Sequence, residues 1–124
     1  MKITTPVAIE RWTQALRVLR ELTPHERREH FDMKYWGKKT ECGTAACLGG
    51  WCALDPWFRR RGLIGKWVGD EEKAVLDFPK KTPTEFFNDC LEGPYIFGEC
   101  AVSYAGIVKM VKAHIAKLKK HPRE

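Results

Sequence analysis

The stretch Cys42-Gly43-Thr44-Ala45-Ala46-Cys47-Leu48-Gly49-Gly50-Trp51-Cys52-Ala53-Leu54 constrains the fold most, since it runs thirteen residues without a charge and consists largely of small side chains. In a chain that is 31% charged, a segment with no solvent-seeking side belongs at the centre. At 3.6 residues per turn, Ala46, Gly49, Gly50 and Ala53 share a stripe about 100° wide, while Cys47, Trp51 and Leu54 occupy a second side and Leu48 and Cys52 a third. The pattern predicts a central helix over 44–54 whose small-residue stripe lets another helix approach closely. Its two glycines each forgo up to about 1 kcal/mol of helix propensity, which that packing must offset.

Around this segment the helix signals are local and repeated. Thr5-Pro6 reads as a cap followed by a first-turn proline, and Ala8, Ile9, Trp12, Ala15, Leu16, Leu19 and Leu22 recur at three- and four-residue steps, which predicts a helix over 6–22. Thr23-Pro24-His25-Glu26 adds a glutamate three residues after the threonine, a capping box that opens a short helix over 24–30. Thr82-Pro83-Thr84-Glu85 is the same device, starting a helix through Phe86, Phe87 and Leu91 that Gly93-Pro94 ends. A last helix runs over 103–120, with Tyr104, Ile107, Val108, Val111, Ile115 and Leu118 on one arc and Lys109, Lys112, Lys117, Lys119 and Lys120 on the other side. The simpler reading of those lysines is a solvated face.

No strand pattern competes with these helices. Leu63 to Val68 is at most one short extended piece, and Ala74 to Phe78 reads as a further turn of helix. The expected fold is therefore all-α, or nearly so, a bundle of about four to five helices forming one domain over 1–124. A chain of 124 residues buries roughly two thirds of its unfolded surface, so folding requires neither a disulfide framework nor a metal. No apolar run approaches the roughly 18 residues of a membrane span, and Met1 to Pro6 lacks an apolar signal core. Five cysteines, an odd number without a secretory signal, read as reduced thiols in a cytoplasm.

The formal charge of +6 is unevenly placed. Residues 70–106 carry 3 basic and 8 acidic side chains, whereas residues 107–124 carry 6 and 1, and the run Arg59-Arg60-Arg61 adds a second basic spot. Such asymmetry steers a charged partner, unless the two segments pair within the fold.

Phe31-Asp32-Met33-x-x-Trp36, a short polar loop, and Cys42-Gly43-Thr44-x-x-Cys47-x-x-Gly50-Trp51 together resemble the signature of a group of short bacterial and bacteriophage proteins. In that group an N-terminal helix precedes the motif, and a Thr-Pro-started helix and a C-terminal helix come after it. The resemblance implies a setting, a bacterium or its phage, more than a mechanism. Arg59-Arg60-Arg61 and the stretch from Gly93 to Cys100 fall outside the pattern.

Three chemistries can be set against the motif. A zinc centre from Cys42, Cys47 and Cys52 is disfavoured, because four residues separate each pair and the last two point about 140° apart on a helix. His25-Glu26-Arg27-Arg28-Glu29-His30 is not a zinc-protease arrangement either, since its histidines are five apart and point to different faces. Thiol catalysis would need Cys42 at a helix N-terminus, where its pKa falls, but no Cys-x-x-Cys or paired histidine accompanies it. Anion binding is the third: Gly43-Thr44 at a helix start presents free backbone N–H groups, with Lys38, Lys39 and Arg59 to Arg61 near in sequence and Trp36, Trp57 or Trp67 available to stack on a base. Against it stands Thr44 as a plain N-cap.

Trp12 and Trp51 fall on core faces. Asp55-Pro56 breaks the helix and puts Trp57-Phe58 on a turn beside three arginines, an aromatic and basic pair suited to a protein or a nucleic acid. No catalytic residue, metal or cofactor is expected. The function expected is non-enzymatic binding of a nucleic acid or phosphorylated ligand through Gly43, Thr44, Trp57, Phe58, Arg59, Arg60, Arg61, Lys112 and Lys119. The alternative is an inhibitor or adaptor acting on a host protein, with a zinc- or thiol-dependent enzyme as a third class.

Overall fold

A computed structural model describes residues 4–33, 36–40, 43–70, 73–87 and 103–120, with Thr40 and Gly43 described by backbone alone. Two long helices frame it. Helix α1 (Thr5–Glu21) begins on a proline in its first turn and buries Ala8, Trp12, Ala15, Leu16, Val18 and Leu19. Helix α6 (Tyr104–Lys120) buries Ile107, Val111, His114, Ile115 and Leu118. The Tyr104 hydroxyl donates to the Leu19 carbonyl at 2.6 Å and Trp12 meets His114 edge to face at 5.2 Å, so numbers rise on one helix as they fall on the other and the pair is antiparallel.

The short helices are held by their caps. In α2 (Pro24–Glu29) and α5 (Pro83–Phe86) both halves of the expected capping box are made, by Thr23 with Glu26 and by Thr82 with Glu85. Leu91 and Gly93-Pro94, the expected end of α5, lie outside the described residues; the helix itself closes at Phe87. Arg11 of α1 donates to the Phe86 carbonyl at 2.6 Å and lies 4.0 Å over the Phe86 ring, satisfying a carbonyl that the helix end leaves free.

The all-α expectation is overturned. Strands β1 (Lys38–Thr40), β2 (Gly43–Ala45), β3 (Lys66–Val68) and β4 (Val75–Asp77) form a four-stranded antiparallel sheet in the order β2-β1-β4-β3. The segment read as a turn of helix, Ala74 to Phe78, is β4, with Val75 and Asp77 exposed and Leu76 inside. The expected central helix over 44–54 contracts to α3 (Leu48–Ala53), because Gly43 to Ala46 is extended and Cys47 serves as the helix cap. Asp55-Pro56 does not end in a turn; it starts α4 (Pro56–Arg60), with the Asp55 carboxylate accepting from Trp57 N.

Helix α3 is central, as its composition requires: Leu48, Gly49, Gly50, Cys52 and Ala53 are buried. Its glycine stripe does admit close neighbours, but only one of them is a helix. A Cβ on Gly49 would stand 2.6 Å from Cβ of Pro83, at the start of α5, and a Cβ on Gly50 would overlap the carbonyl oxygen of Trp36, which belongs to a loop. Buried residues of α1, α3, α4, β4, α5 and α6 join in one cluster, in which Phe58 meets Phe86 and Phe87 at 5.9 and 5.5 Å and Phe87 meets Trp12 at 4.5 Å.

Candidate functional site

The signature residues form a packing device. Phe31 and Ala46 make a parallel bridge, Asp32 N donates to the Ala46 carbonyl at 3.0 Å, and Ala46 N donates to the His30 carbonyl at 2.9 Å. Trp51 Nε1 donates to that same His30 carbonyl at 3.2 Å, Met33 is buried, and Trp36 lies against Gly49 and Gly50. The segment 30–36 is thereby pinned to the start of α3.

Gly43 and Thr44 are not at a helix start. Both belong to β2, where the Thr44 hydroxyl accepts from Lys39 Nζ at 3.2 Å and the same ammonium lies 4.3 Å over the Trp67 ring. The N-terminus of α3 comes four residues after Thr44, and it is closed by the Cys47 thiol, whose Sγ accepts from Gly50 N at 3.4 Å. The expected phosphate cradle of free amides is absent at Gly43-Thr44.

Thiol chemistry fails at the described cysteines for a related reason. Burial pushes the Cys47 thiol up to about 11, against the downward pull of the Gly50 and Gly49 amides. Burial moves Cys52, fully enclosed, in the same direction. Both stay protonated near neutral pH. Cys42 lies outside the described residues; Gly43 to Ala45, expected from sequence to begin a helix next to it, is strand β2.

Among the described residues no three His, Cys, Asp or Glu groups stand together to hold a metal ion. Helical spacing puts His25 and His30 on different faces, yet their rings meet edge to face at 5.0 Å, because His30 leaves the helix as the C-cap of α2.

The α4 corner is largely spent on the fold. Phe58, an expected docking residue, is fully buried in the aromatic cluster. Arg59 Nη1 lies 3.4 Å from the carbonyls of both Ala53 and Gly65. The Arg61 guanidinium covers the half-buried Trp57 ring at 3.6 Å, donates to the Trp57 carbonyl at 3.1 Å, and places Nε 3.8 Å from the Glu10 carboxylate. One face of the Trp57 ring is thus covered by a cation. Arg60 alone of the triplet is exposed without such an engagement among the described residues.

Helix α6 presents a different surface. Lys109, Lys112, Lys117, Lys119 and Lys120 are all exposed, as are Ala105, Ala113 and Ala116, and residues 104–120 contain no acidic side chain. None of the five lysines pairs with an acidic side chain of the described residues. Lys112 and Lys119, expected from sequence, are accompanied by Lys109, Lys117 and Lys120, whose common face the same helical wheel displays. The acidic segment 70–106 leaves this face unneutralised as far as it is described, its members there being Asp70, Asp77 and Glu85.

No described helix is long and apolar enough to cross a membrane. No protein-family model matches the sequence, and comparison with curated proteins and with solved structures found no match.

Proposed function

We propose that this chain is a non-enzymatic binding protein that engages a polyanion, nucleic acid above all, through the lysine face of α6. One observation carries the reading: five exposed lysines on a 17-residue helix, with no acidic residue on that helix and no acidic partner among the described residues. Lysine is a compact point charge that contacts phosphate without demanding a planar partner. Its opposite side is locked into the core through Ile107, Val111, Ile115 and Leu118, so the cationic face is held in place at no further ordering cost to the backbone. The α4 arginines support the reading less, since Arg59 and Arg61 already serve the fold. Free, buried Cys47 and Cys52 suit a reducing cytoplasm, and the phage or mobile-element setting rests on the signature resemblance.

The test is a quadruple variant, Lys109, Lys112, Lys119 and Lys120→Gln, compared with Arg60→Gln for retention on heparin and for affinity to a DNA duplex. Both variants change exposed side chains and keep the helical circular dichroism. The quadruple variant is expected to lose at least about a hundredfold in affinity at low salt, while Arg60→Gln loses less than about threefold. Equal binding by the quadruple variant and the parent overturns the proposal.

A further inference from the structure

We propose that two copies of this chain associate face to face through the open side of the sheet, over strands β3 and β4. Alternation along the two strands divides their side chains between two faces. Trp67 and Leu76, directly opposite one another, pack on the core side. Lys66, Val68, Val75 and Asp77 are left on the outer face, all exposed. An antiparallel sheet with one solvated face ordinarily sets polar side chains there. This one departs from that rule. Among the described residues four large apolar side chains are exposed, and three of them, Ile64 at 37%, Val68 at 46% and Val75 at 49%, belong to β3, β4 or the two residues leading into β3.

The register sets Val68 opposite Val75 and Lys66 opposite Asp77. The two charges do not serve each other, since neither makes an ion pair with any described residue. Such a face complements a second copy of itself. A two-fold axis running along the strands, midway between β3 and β4, lays β3 of one copy over β4 of the other. Val68 then meets Val75 of the second copy, Lys66 meets Asp77 of the second copy, and the same contacts recur with the copies exchanged. Sheets stack in this way about 10 Å apart with their strands nearly aligned. Self-pairing at the sheet edge fails the same check: β3 is an edge strand, but joining it antiparallel to its copy about Trp67 would set Lys66 beside Val68 of the second copy.

The patch is small, so association between about 10 μM and 1 mM is expected, and sedimentation equilibrium of the full chain over that range tests it. Lys66→Asp and Asp77→Lys each set like charges over one another twice in the dimer, and each is expected to weaken association at least about tenfold. Combining both substitutions in one chain, or mixing the two single variants in equal amounts, brings opposite charges together again and should return association to within about threefold of the parent. The mixture separates contact between copies from contact between strands of one chain, because only the former can be repaired by a second protein. All the substitutions lie at exposed positions and keep the circular dichroism of the parent. A parent that stays monomeric at about 1 mM, single variants that associate as the parent does, or a mixture no better than either variant alone overturns the proposal.

Discussion

Replacing Gly50 by alanine sets helix propensity against packing, and the two predict opposite signs. Alanine in the middle of α3 gains up to about 1 kcal/mol over glycine. Its Cβ, however, would overlap the Trp36 carbonyl oxygen. Trp36 has little room to retreat: its ring meets Phe78 edge to face at 5.7 Å, and the neighbouring Gly37 carbonyl accepts from Leu76 N at 2.8 Å, which ties the segment to β4. Overpacking against backbone that cannot move aside costs about 3 kcal/mol, the upper part of its usual range. The net is a loss of about 2 kcal/mol, or roughly 8 °C in Tm for a chain of this length. Urea denaturation followed by circular dichroism and tryptophan fluorescence measures it. A Gly50→Ala protein as stable as the parent, or more so, would refute the contact between residues 36 and 50 and with it the account of the signature.

The aromatic cluster and the α4 surface separate cleanly by substitution. Phe58→Ala is expected to cost about 3–5 kcal/mol in chemical denaturation, whereas Arg60→Ala, two residues on, stays within about 0.5 kcal/mol; equal effects would contradict the burial of Phe58. Cys47 supplies a pH dependence. Its folded pKa of about 11 lies above the ordinary thiol value of 9.0, so its contribution is complete below pH 9 and is lost as pH rises towards 11. That loss amounts to about 3 kcal/mol at 1.36 kcal/mol per unit. The stability difference between the parent and Cys47→Ala should therefore shrink between pH 9 and 11, and a constant difference across that window would count against the burial. Native Cys47 and Cys52 are also expected to react with a thiol reagent only after unfolding.

The elements legible in the sequence are those that local chemistry determines. The capping boxes at Thr23 and Thr82 and the apolar arcs of α1 and α6 involve residues three or four apart, so sequence spacing displays them directly. The sheet is different. Each strand has three residues, too few to establish a two-residue period, and β1 pairs with β4 through Lys38 and Val75, far apart in the chain. Val75-Leu76-Asp77 does alternate, but one alternation is also one turn of an amphipathic helix. In the segment 42–54, composition correctly demands a central position, yet small residues fit a strand and a helix alike; Cys47, an uncommon cap, divides them. Asp55-Pro56 shows a further ambiguity: the pair that stops one helix caps and starts the next.

The same distinction applies to the candidate site. Lys112 and Lys119 are visible in the sequence because a helix that buries Ile107 and Val111 must expose them. The spending of Phe58, Arg59 and Arg61 on the fold is not, because it depends on Gly65, Glu10 and Phe86, brought in from other elements. A basic triplet in sequence is thus a weaker cationic surface than five lysines spread along one helix face.

The salt dependence of duplex binding tests the central claim most directly. Four lysines, Lys109, Lys112, Lys119 and Lys120, that each displace counterion from a phosphate give a slope of log K against log salt of about −3.6, and Lys112→Gln with Lys119→Gln should reduce its magnitude by about 1.8. A slope near zero, or one that the double substitution leaves unchanged, would contradict the assignment of α6 as the binding surface.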